Sequence, residues 1–122
     1  MSPAAPRYTV AFTSDAKQDV ASLDGSIRKR LKKVLEGKVA ITPSGYGTPL
    51  RGELAGDWKH EFAAHRVIYR IYDDRQLVVI CAVGKRQGEH VSDIYKQLVP
   101  MVRTGKVLEQ VLLVLAELKP KR

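Results

Sequence analysis

This sequence contains almost no cysteine and no long apolar run. Cys81 is the single cysteine, so an intramolecular disulfide is excluded and nothing indicates an oxidising compartment. It lies in the apolar run 77–83, which favours a buried small hydrophobe over a nucleophile. No apolar stretch reaches the roughly 18 residues of a membrane span, and residues 1–6 lack the basic and apolar parts of a secretion signal. We therefore expect a soluble cytoplasmic protein with no membrane contact.

Acidic residues are scarce relative to basic ones. The 122 residues include 21 Lys and Arg against 13 Asp and Glu, which gives a formal net charge of +8. A domain this basic usually meets an anionic partner, most commonly nucleic acid, although such a charge can also serve solubility alone. The length suits one domain, 1–122, that buries a core of its own.

Apolar periodicity in the N-terminal third predicts one strand and a pair of helices. Residues 7–12 alternate as a strand does. Two segments with helical spacing follow, and hydroxyls precede both: Thr13 or Ser14 can cap the first, and Ser26 the second. Gly37 is suited to end the second helix. We therefore predict a helical hairpin after the first strand.

The rest of the chain predicts a sheet followed by helices. Residues 42–49 have the composition of a loop, and three strands follow at about 57–63, 65–72 and 76–83. Their short connections make them antiparallel neighbours. A helix is predicted at about 91–98. It is expected to end there because Pro100 disfavours a helical conformation for the preceding residue, Val99. The expected fold is α+β: an N-terminal strand, a helical hairpin, then an antiparallel sheet (four strands in all) with C-terminal helices.

The two ends of the chain are expected to differ from this core. Residues 1–6 are expected to be flexible, and 104–122 to form an extra helix, at about 106–118, with a basic tail. The apolar stripe of that helix is predicted to comprise Val107, Leu108, Val111, Leu112, Leu115 and Leu118. Such a stripe must be buried on its own sheet, on a second copy or on a partner, and the sequence leaves these alternatives open.

Three short motifs resemble the RelE/ParE superfamily of bacterial toxins. Residues 50–59, LRGELAGDWK, resemble the approach to the second strand of that superfamily. Residues 65–71, HRVIYRI, resemble its third strand, and residues 83–86, VGKR, resemble the exit of its fourth. The similarity spans residues 7–98. It implies the toxin of a type II toxin–antitoxin pair, with a cognate antitoxin as partner and a higher-order toxin–antitoxin assembly as an open alternative.

The resemblance implies one of two activities. Toxins of the RelE branch are ribosome-dependent endoribonucleases that cut mRNA, whereas those of the ParE branch poison DNA gyrase. The fold does not choose between them, and an inactive nucleic-acid-binding relative is a third alternative. The cations described next favour the nuclease, so the ribosome and mRNA are the expected partners.

Metal-free RNA cleavage needs a base for the 2′-hydroxyl, positive charge at the phosphorus and an acid for the leaving 5′-oxygen. By resemblance, Lys59 matches a catalytic lysine of RelE toxins, and Arg66 and Arg86 match arginines that stabilise the phosphate. Lys59 is assigned as the base or as an electrostatic stabiliser. Each of the three can also be an ordinary surface cation.

Two features depart from the RelE pattern. Glu61, which shares a strand face with Lys59, stands where RelE carries a second lysine. It could be a general base, as in the YoeB-like branch, but there the acid directly precedes the His-Arg pair, a place taken here by Ala64. The tyrosine that closely follows V-G-x-R in RelE has no close match. His90 or Tyr95 is therefore assigned as the acid or as a residue that stacks on a base.

Further cations and histidines complete the candidates. The candidate RNA-binding residues are Arg28, Lys29, Lys32, Lys33, Arg51 and Lys85. Those of the second helix have no aromatic residues among them, so they would position RNA without reading its bases, or form only a solvated face. His60 is expected to be a satisfied core or helix-facing histidine. No pair of histidines has metal-ligand spacing with Cys81 or a carboxylate, so we predict no metal and no cofactor.

Overall fold

A computed structural model describes residues 7–85 and 94–118. The elements in chain order are β1 (Thr9–Phe12), α1 (Ser14–Ala21), α2 (Gly25–Val34), a π-helical turn (Leu35–Val39), α3 (Pro43–Tyr46), β2 (Thr48–Pro49), a 3-10 turn (Gly52–Leu54), β3 (Trp58–Phe62), β4 (His65–Tyr72), a 3-10 turn (Asp73–Arg75), β5 (Leu77–Lys85), α4 (Ile94–Arg103) and α5 (Lys106–Glu117). The predicted α+β class is confirmed. The predictions for residues 1–6 and for the tail 119–122 lie outside the described residues.

The strands form one five-stranded sheet in the order β1-β5-β4-β3-β2. β2, β3, β4 and β5 pair antiparallel, as expected, whereas β1 runs parallel to β5. The predicted number of four strands was too low, because Thr48 and Pro49 of the predicted loop pair with Lys59 and Trp58. Pro49 is tolerated there because an edge strand does not need the N–H that proline lacks.

The helical hairpin covers one face of the sheet. The Thr13 hydroxyl accepts a hydrogen bond from the Ala16 N–H at 3.1 Å, which confirms Thr13 as the cap of α1. The core on this face includes Leu31, Leu35 and Val39 of the hairpin side and Phe62, Val67, Tyr69, Val78, Ile80 and Val83 of the sheet. Gly37 does not end the second helix, because the chain continues through a π-helical turn that buries Val39 completely. Burial of this apolar side chain favours the extra turn.

The two C-terminal helices cover the opposite face. Leu98 of α4 and Val107, Val111 and Val114 of α5 pack there against apolar residues of β4 and β5. The predicted helix end near residue 98 is wrong, since α4 runs to Arg103 with Pro100 inside it. Residues 101 and 102, beyond the proline, pack on this core, and their burial offsets the hydrogen bond that proline removes. No helix in the described ranges is long and apolar enough to cross a membrane.

A β-bulge in β5 changes the faces of its last residues. Ile68 pairs with Ala82, but the next residue, Tyr69, pairs with Ile80. Cys81 is therefore an extra residue of β5 that has no partner on β4. Cys81 and Ala82 both pack on the α4–α5 side, and Val83 returns to the α1–α2 side. The next residue, Gly84, is thereby paired with Arg66.

Candidate active site

Lys59, Glu61 and Arg66 meet on the sheet face opposite the helical hairpin. Strand alternation puts Lys59 and Glu61 on the same side of β3, and the register places Glu61 directly opposite Arg66. Lys59 Nζ donates to Glu61 Oε2 at 3.1 Å, and Arg66 Nε donates to the same oxygen at 3.1 Å. One carboxylate oxygen thus joins two cations. We call these three residues the Glu61 cluster.

Solvent exposure is graded across the Glu61 cluster. The side chains of Lys59 and Glu61 are 25% and 34% exposed, and that of Arg66 is 10% exposed. A ligand can therefore approach from the Lys59 side, while Arg66 is enclosed and held in a fixed orientation. The arrangement offers two cations for a phosphate and a carboxylate that can accept a proton. With its ammonium bonded to a carboxylate, Lys59 suits electrostatic stabilisation better than proton abstraction.

A strained two-residue turn holds β3 against β4. Ala63 and Ala64 both have positive φ, at 46° and 61°, a conformation that alanine rarely adopts and that is typical of tight hairpins. This turn sets the register between Glu61 and Arg66. His65, buried at its end, places Nδ1 2.8 Å from the Ala63 carbonyl oxygen and stacks on a neighbouring phenylalanine ring. His65 therefore supports the turn.

The other candidate RNA contacts lie away from the Glu61 cluster. The four cations of α2 belong to the helix that covers the opposite sheet face: Arg28, Lys29, Lys32 and Lys33. Lys85 is exposed at the end of β5 opposite His65, and alternation directs its side chain to that same opposite face. Arg51 borders a shallow groove that it shares with residues of the 3-10 turn and with Val99 of α4. None of these six is bonded to the cluster in the described part of the chain.

Three candidate catalytic residues lie in or next to the segment between residues 85 and 94. Arg86 and His90 lie outside the described residues, and Tyr95 lies in the first turn of α4. β5 is described as far as Lys85, with Gly84 opposite Arg66. The strand therefore carries the chain to the Arg66 end of the sheet immediately before Arg86.

Sequence reasoning missed a carboxylate that holds the end of β5. β1 pairs with β5 only as far as Ile80. Beyond that point, Asp19 of α1 takes the place of a strand, because its Oδ2 accepts the Val83 N–H at 3.0 Å. Burial raises the pKa of Asp19, the bond from Val83 opposes this rise, and the nearby charge of Asp15 adds to it. A helical aspartate that meets a strand edge has no local sequence signature.

A second ion pair stabilises the start of β3. Arg70 Nε donates to Asp57 Oδ1 at 2.6 Å, and Asp57 is 1% exposed. Burial raises the pKa of Asp57, and the bond and charge of Arg70 only partly oppose this rise. Burial also raises the pKa of Cys81 to about 12, which agrees with its prediction as a buried hydrophobe.

The described histidines are satisfied by protein groups or lie apart from any cluster of metal-binding side chains. His60 Nδ1 lies 2.7 Å from the Tyr46 carbonyl oxygen, so this histidine is satisfied, as expected. In residues 7–85 and 94–118, no group of three or more His, Cys, Asp or Glu is arranged to hold a metal ion.

Known proteins resemble this chain in both sequence and fold. A family model described as the ParE toxin of the type II toxin–antitoxin system parDE matches residues 10–89. Toxin RelG of Mycobacterium tuberculosis is 36% identical over 90 residues, which cover 74% of this chain and 98% of RelG. A chain of the RelBE2 toxin–antitoxin complex of the same organism has a TM-score of 0.63 at 36% identity, covering 66% of this chain and 99% of that one. A free mutant of Escherichia coli toxin RelE has a TM-score of 0.56 at 26% identity, covering 75% of this chain and 98% of that one. The chain therefore belongs to the RelE/ParE superfamily and is a RelE-like toxin of a type II toxin–antitoxin system.

Proposed function

We propose that this toxin is a ribosome-dependent endoribonuclease that cleaves mRNA by attack of a 2′-hydroxyl on the adjacent phosphate. The observation that carries the proposal is the bonding of Lys59 and Arg66 to one oxygen of Glu61. The carboxylate is a proton acceptor, and the two cations supply positive charge where a phosphorane would form. In this proposal, the three residues would supply two of the three requirements for RNA cleavage on one sheet face.

In the proposed reaction, the scissile phosphate replaces Glu61 as the partner of Lys59 and Arg66. The released carboxylate accepts the 2′-hydroxyl proton while the 2′-oxygen bonds to phosphorus. The bond from phosphorus to the 5′-oxygen then breaks, and that oxygen takes a proton from an acid, for which His90 and Tyr95 are the candidates. The products are a 2′,3′-cyclic phosphate and a 5′-hydroxyl end. Arg86 is proposed as a further phosphate contact.

The α2 cations are assigned a different role because they lie on the other sheet face. They, with Arg51 and Lys85, are proposed to bind the ribosome or mRNA away from the scissile bond, through salt-dependent phosphate contacts. The chain would then act in the cytoplasm, where translating ribosomes are found.

The test is inducible expression in bacteria, followed by mapping of mRNA 5′ ends in translating cells. Wild type should arrest growth and produce new cleavage sites within translated frames. Glu61→Gln keeps an acceptor for both cations but removes the base, and Arg66→Ala removes a phosphate contact. Each should lower cleavage by roughly 100-fold or more. Lys59→Ala and Arg86→Ala should behave similarly.

Arg75→Ala is the matched control. Arg75 is an exposed cation in the turn before β5, at the opposite end of β4 from Arg66. Its substitution removes the same charge as Arg66→Ala, but away from the Glu61 cluster. It should arrest growth and cleave mRNA as wild type does. Growth arrest with intact mRNA would contradict the nuclease proposal.

The matching ParE family model favours one second candidate, inhibition of DNA gyrase without catalysis. On this alternative, the Glu61 cluster is dispensable, and toxicity persists in Glu61→Gln. A supercoiling assay with purified gyrase tests it directly. Inhibition by both wild type and Glu61→Gln, with no mRNA cleavage, would establish the alternative.

A cognate antitoxin is the proposed protein partner, since the similar RelBE structures are toxin–antitoxin complexes. A groove of about 260 Å³ between β1 and α2 is lined by apolar side chains, among them Val10, Phe12 and Leu31, and is bordered by Arg28 and Lys32. An antitoxin segment with apolar and acidic side chains fits such a groove. Charge reversal at Arg28 and Lys32 should weaken antitoxin binding in calorimetry, and unchanged binding would contradict this placement.

A further inference from the structure

The last residues of β5 receive little support from the neighbouring strands. In the described part of the chain, β1 pairs with β5 only as far as Ile80, so no strand lies along the outer edge of β5 beyond that residue. On the inner edge, the bulge at Cys81 interrupts the pairing with β4. Gly84 follows, the residue type with the greatest backbone freedom. This end of β5 therefore depends on contacts from outside the sheet.

α1 and its capping residue provide those contacts. Thr13 is 1% exposed, and its hydroxyl donates to the Cys81 carbonyl oxygen at 3.4 Å. Further along the same edge, Asp19 Oδ2 accepts the Val83 N–H at 3.0 Å. α1 is itself held against the sheet by Ala16, which is completely buried in the same core cluster as Val83. Asp19 therefore joins the end of the strand to a fixed helix.

Three consecutive links lead from Asp19 to the Glu61 cluster. The first is the bond from the Val83 N–H, which points away from β4. Because the bonds of an antiparallel ladder alternate in direction, the N–H of the next residue, Gly84, points towards its partner Arg66. Arg66 Nε in turn donates to Glu61 Oε2. A displacement of Val83 is therefore carried through the backbone to the arginine of the cluster.

We propose that Asp19 is a positioning residue of the nuclease site, which holds the end of β5 in place against Arg66 by binding the Val83 N–H. The proposal rests on the function proposed above, since it gives Asp19 a role in that reaction. Asp19 acts through the backbone and does not touch RNA. A charged acceptor binds an N–H about twice as strongly as a neutral one, which suits a bond that replaces a strand. A misplacement of about 1 Å at a reacting centre can lower a rate roughly 100-fold.

The test is single-turnover cleavage of a defined mRNA on purified ribosomes at increasing toxin concentrations. This assay separates the rate at saturation from the half-saturating concentration. Asp19→Ala should lower the saturated rate roughly tenfold or more and change the half-saturating concentration by less than about twofold, because no contact with the ribosome is removed. Loss of one hydrogen bond leaves nearly all molecules folded, so lower stability alone would not reduce the rate in this way.

Rescue and control variants separate positioning from a general loss of charge. Asp19→Asn keeps an acceptor oxygen and should restore the saturated rate to within about threefold of wild type. Asp15→Ala is the matched control. Asp15 lies one turn earlier on α1 and lines the same small cavity as Asp19, but its carboxylate accepts no hydrogen bond within the described residues. This variant removes the same charge, leaves the Val83 bond intact and should cleave at the wild-type rate.

A second measurement does not depend on catalysis. In nitrogen-15-labelled protein, the Nε–H resonance of Arg66 reports its bond to Glu61. This resonance should shift or broaden in Asp19→Ala and remain as in wild type in Asp19→Asn and Asp15→Ala. Circular dichroism establishes that each variant folds. If Asp19→Ala does not fold, Asp19→Glu, which keeps the charge but displaces the acceptor by one methylene, should show the lower rate and the altered resonance.

Two results would overturn the proposal. An Asp19→Ala variant that cleaves at the wild-type saturated rate shows that Asp19 supports the fold alone. An unchanged Arg66 resonance in Asp19→Ala shows that the backbone does not carry the displacement to the cluster. These results differ from failure of the proposed function, in which wild type itself cleaves no mRNA and the role of Asp19 in cleavage fails with it.

Discussion

Two arginine–carboxylate pairs in this toxin differ mainly in burial, and this difference allows a direct test of what burial does to an ion pair. Asp57 is 1% exposed and is bonded by Arg70 at 2.6 Å. Glu53 is bonded by Arg103 through two nitrogens, but these side chains are 44% and 67% exposed. We expect Asp57→Ala to destabilise the fold strongly, and Glu53→Ala to have almost no effect.

The expected cost follows from what Asp57→Ala leaves behind. The Arg70 side chain is 21% exposed, so its guanidinium would lose its charged acceptor where water reaches it only in part, and would keep its hydrogen bond with Tyr72. Breaking a buried pair costs about 3–5 kcal/mol, and the partial access of Arg70 to water favours the lower end, about 3 kcal/mol. For a chain of this length the melting temperature should fall by roughly 10 °C. Asp57→Asn keeps the acceptor oxygen and should cost about 1 kcal/mol.

The pH dependence of the free energy of unfolding provides a second, independent test of the burial of Asp57. Burial raises the pKa of Asp57 above its ordinary value of 3.8, so the folded state binds this proton more tightly than the unfolded state. The resulting stabilisation is fully present below the unfolded pKa and is lost as the pH rises through the folded pKa. Asp57→Asn does not titrate, so its cost relative to wild type should be larger near pH 3.8 than at neutral pH.

Urea unfolding followed by circular dichroism measures these effects. Wild type, Asp57→Ala, Asp57→Asn and Glu53→Ala are compared at neutral and acidic pH. A loss below about 0.5 kcal/mol for Asp57→Ala would refute the reasoning, because that is the scatter of unremarkable surface substitutions. Equal losses for Asp57→Ala and Glu53→Ala would also refute it, because burial would then not determine the strength of the pair.

Ala64→Gly should raise the free energy of unfolding by about 1 kcal/mol in urea melts, since glycine adopts a φ of 61° without a Cβ penalty; a decrease would contradict strain in this turn. Asp19→Ala should lower it by about 1–2 kcal/mol and speed amide exchange at Val83, which loses its acceptor. Asp19→Asn, which keeps an acceptor, should exchange as wild type does. Gly47→Ala should lower the melting temperature, because a Cβ there would lie 2.1 Å from the Tyr69 hydroxyl oxygen; an unchanged melt would contradict this close approach.

Features of the fold set by local patterns could be predicted from the sequence. Val67, Tyr69 and Ile71 alternate along one strand, and all three pack on the face covered by the helical hairpin. Thr13 or Ser14 was predicted to cap α1, because a hydroxyl can accept a bond from a first-turn N–H, and Thr13 does so. The same rule failed for Ser26, which lies inside the first turn of α2 and whose hydroxyl donates to Asp24. The positions of Glu61 and Lys59 on one face follow from the same alternation, together with a hairpin too short to shift the register.

Local rules failed where burial opposed them. Gly37 and Pro100 are both helix-ending signals, yet the chain continues through each in a helical turn. In each case an apolar residue follows that the core can bury: Val39 after the glycine, and Met101 after the proline. Full burial of a large apolar side chain is worth about 1.5–3 kcal/mol. Met101 and Val102 are each partly buried, and together they offset much of the roughly 3 kcal/mol that proline costs inside a helix. Whether the helical turn continues past the glycine or the proline therefore depends on core residues that are distant in the sequence.

The bulge at Cys81 shows why the neighbours of Arg66 could not be predicted. The run 77–83 is apolar on both faces, so its pattern has no periodicity that would locate an extra residue. A shift of one residue moves every later side chain to the other face. Without the bulge, Lys85 would lie on the face of the Glu61 cluster and Gly84 on the opposite one; with it, Gly84 pairs with Arg66 and Lys85 with His65. Which residue lies opposite Arg66 therefore depends on the pairing between β4 and β5 more than on any local signal.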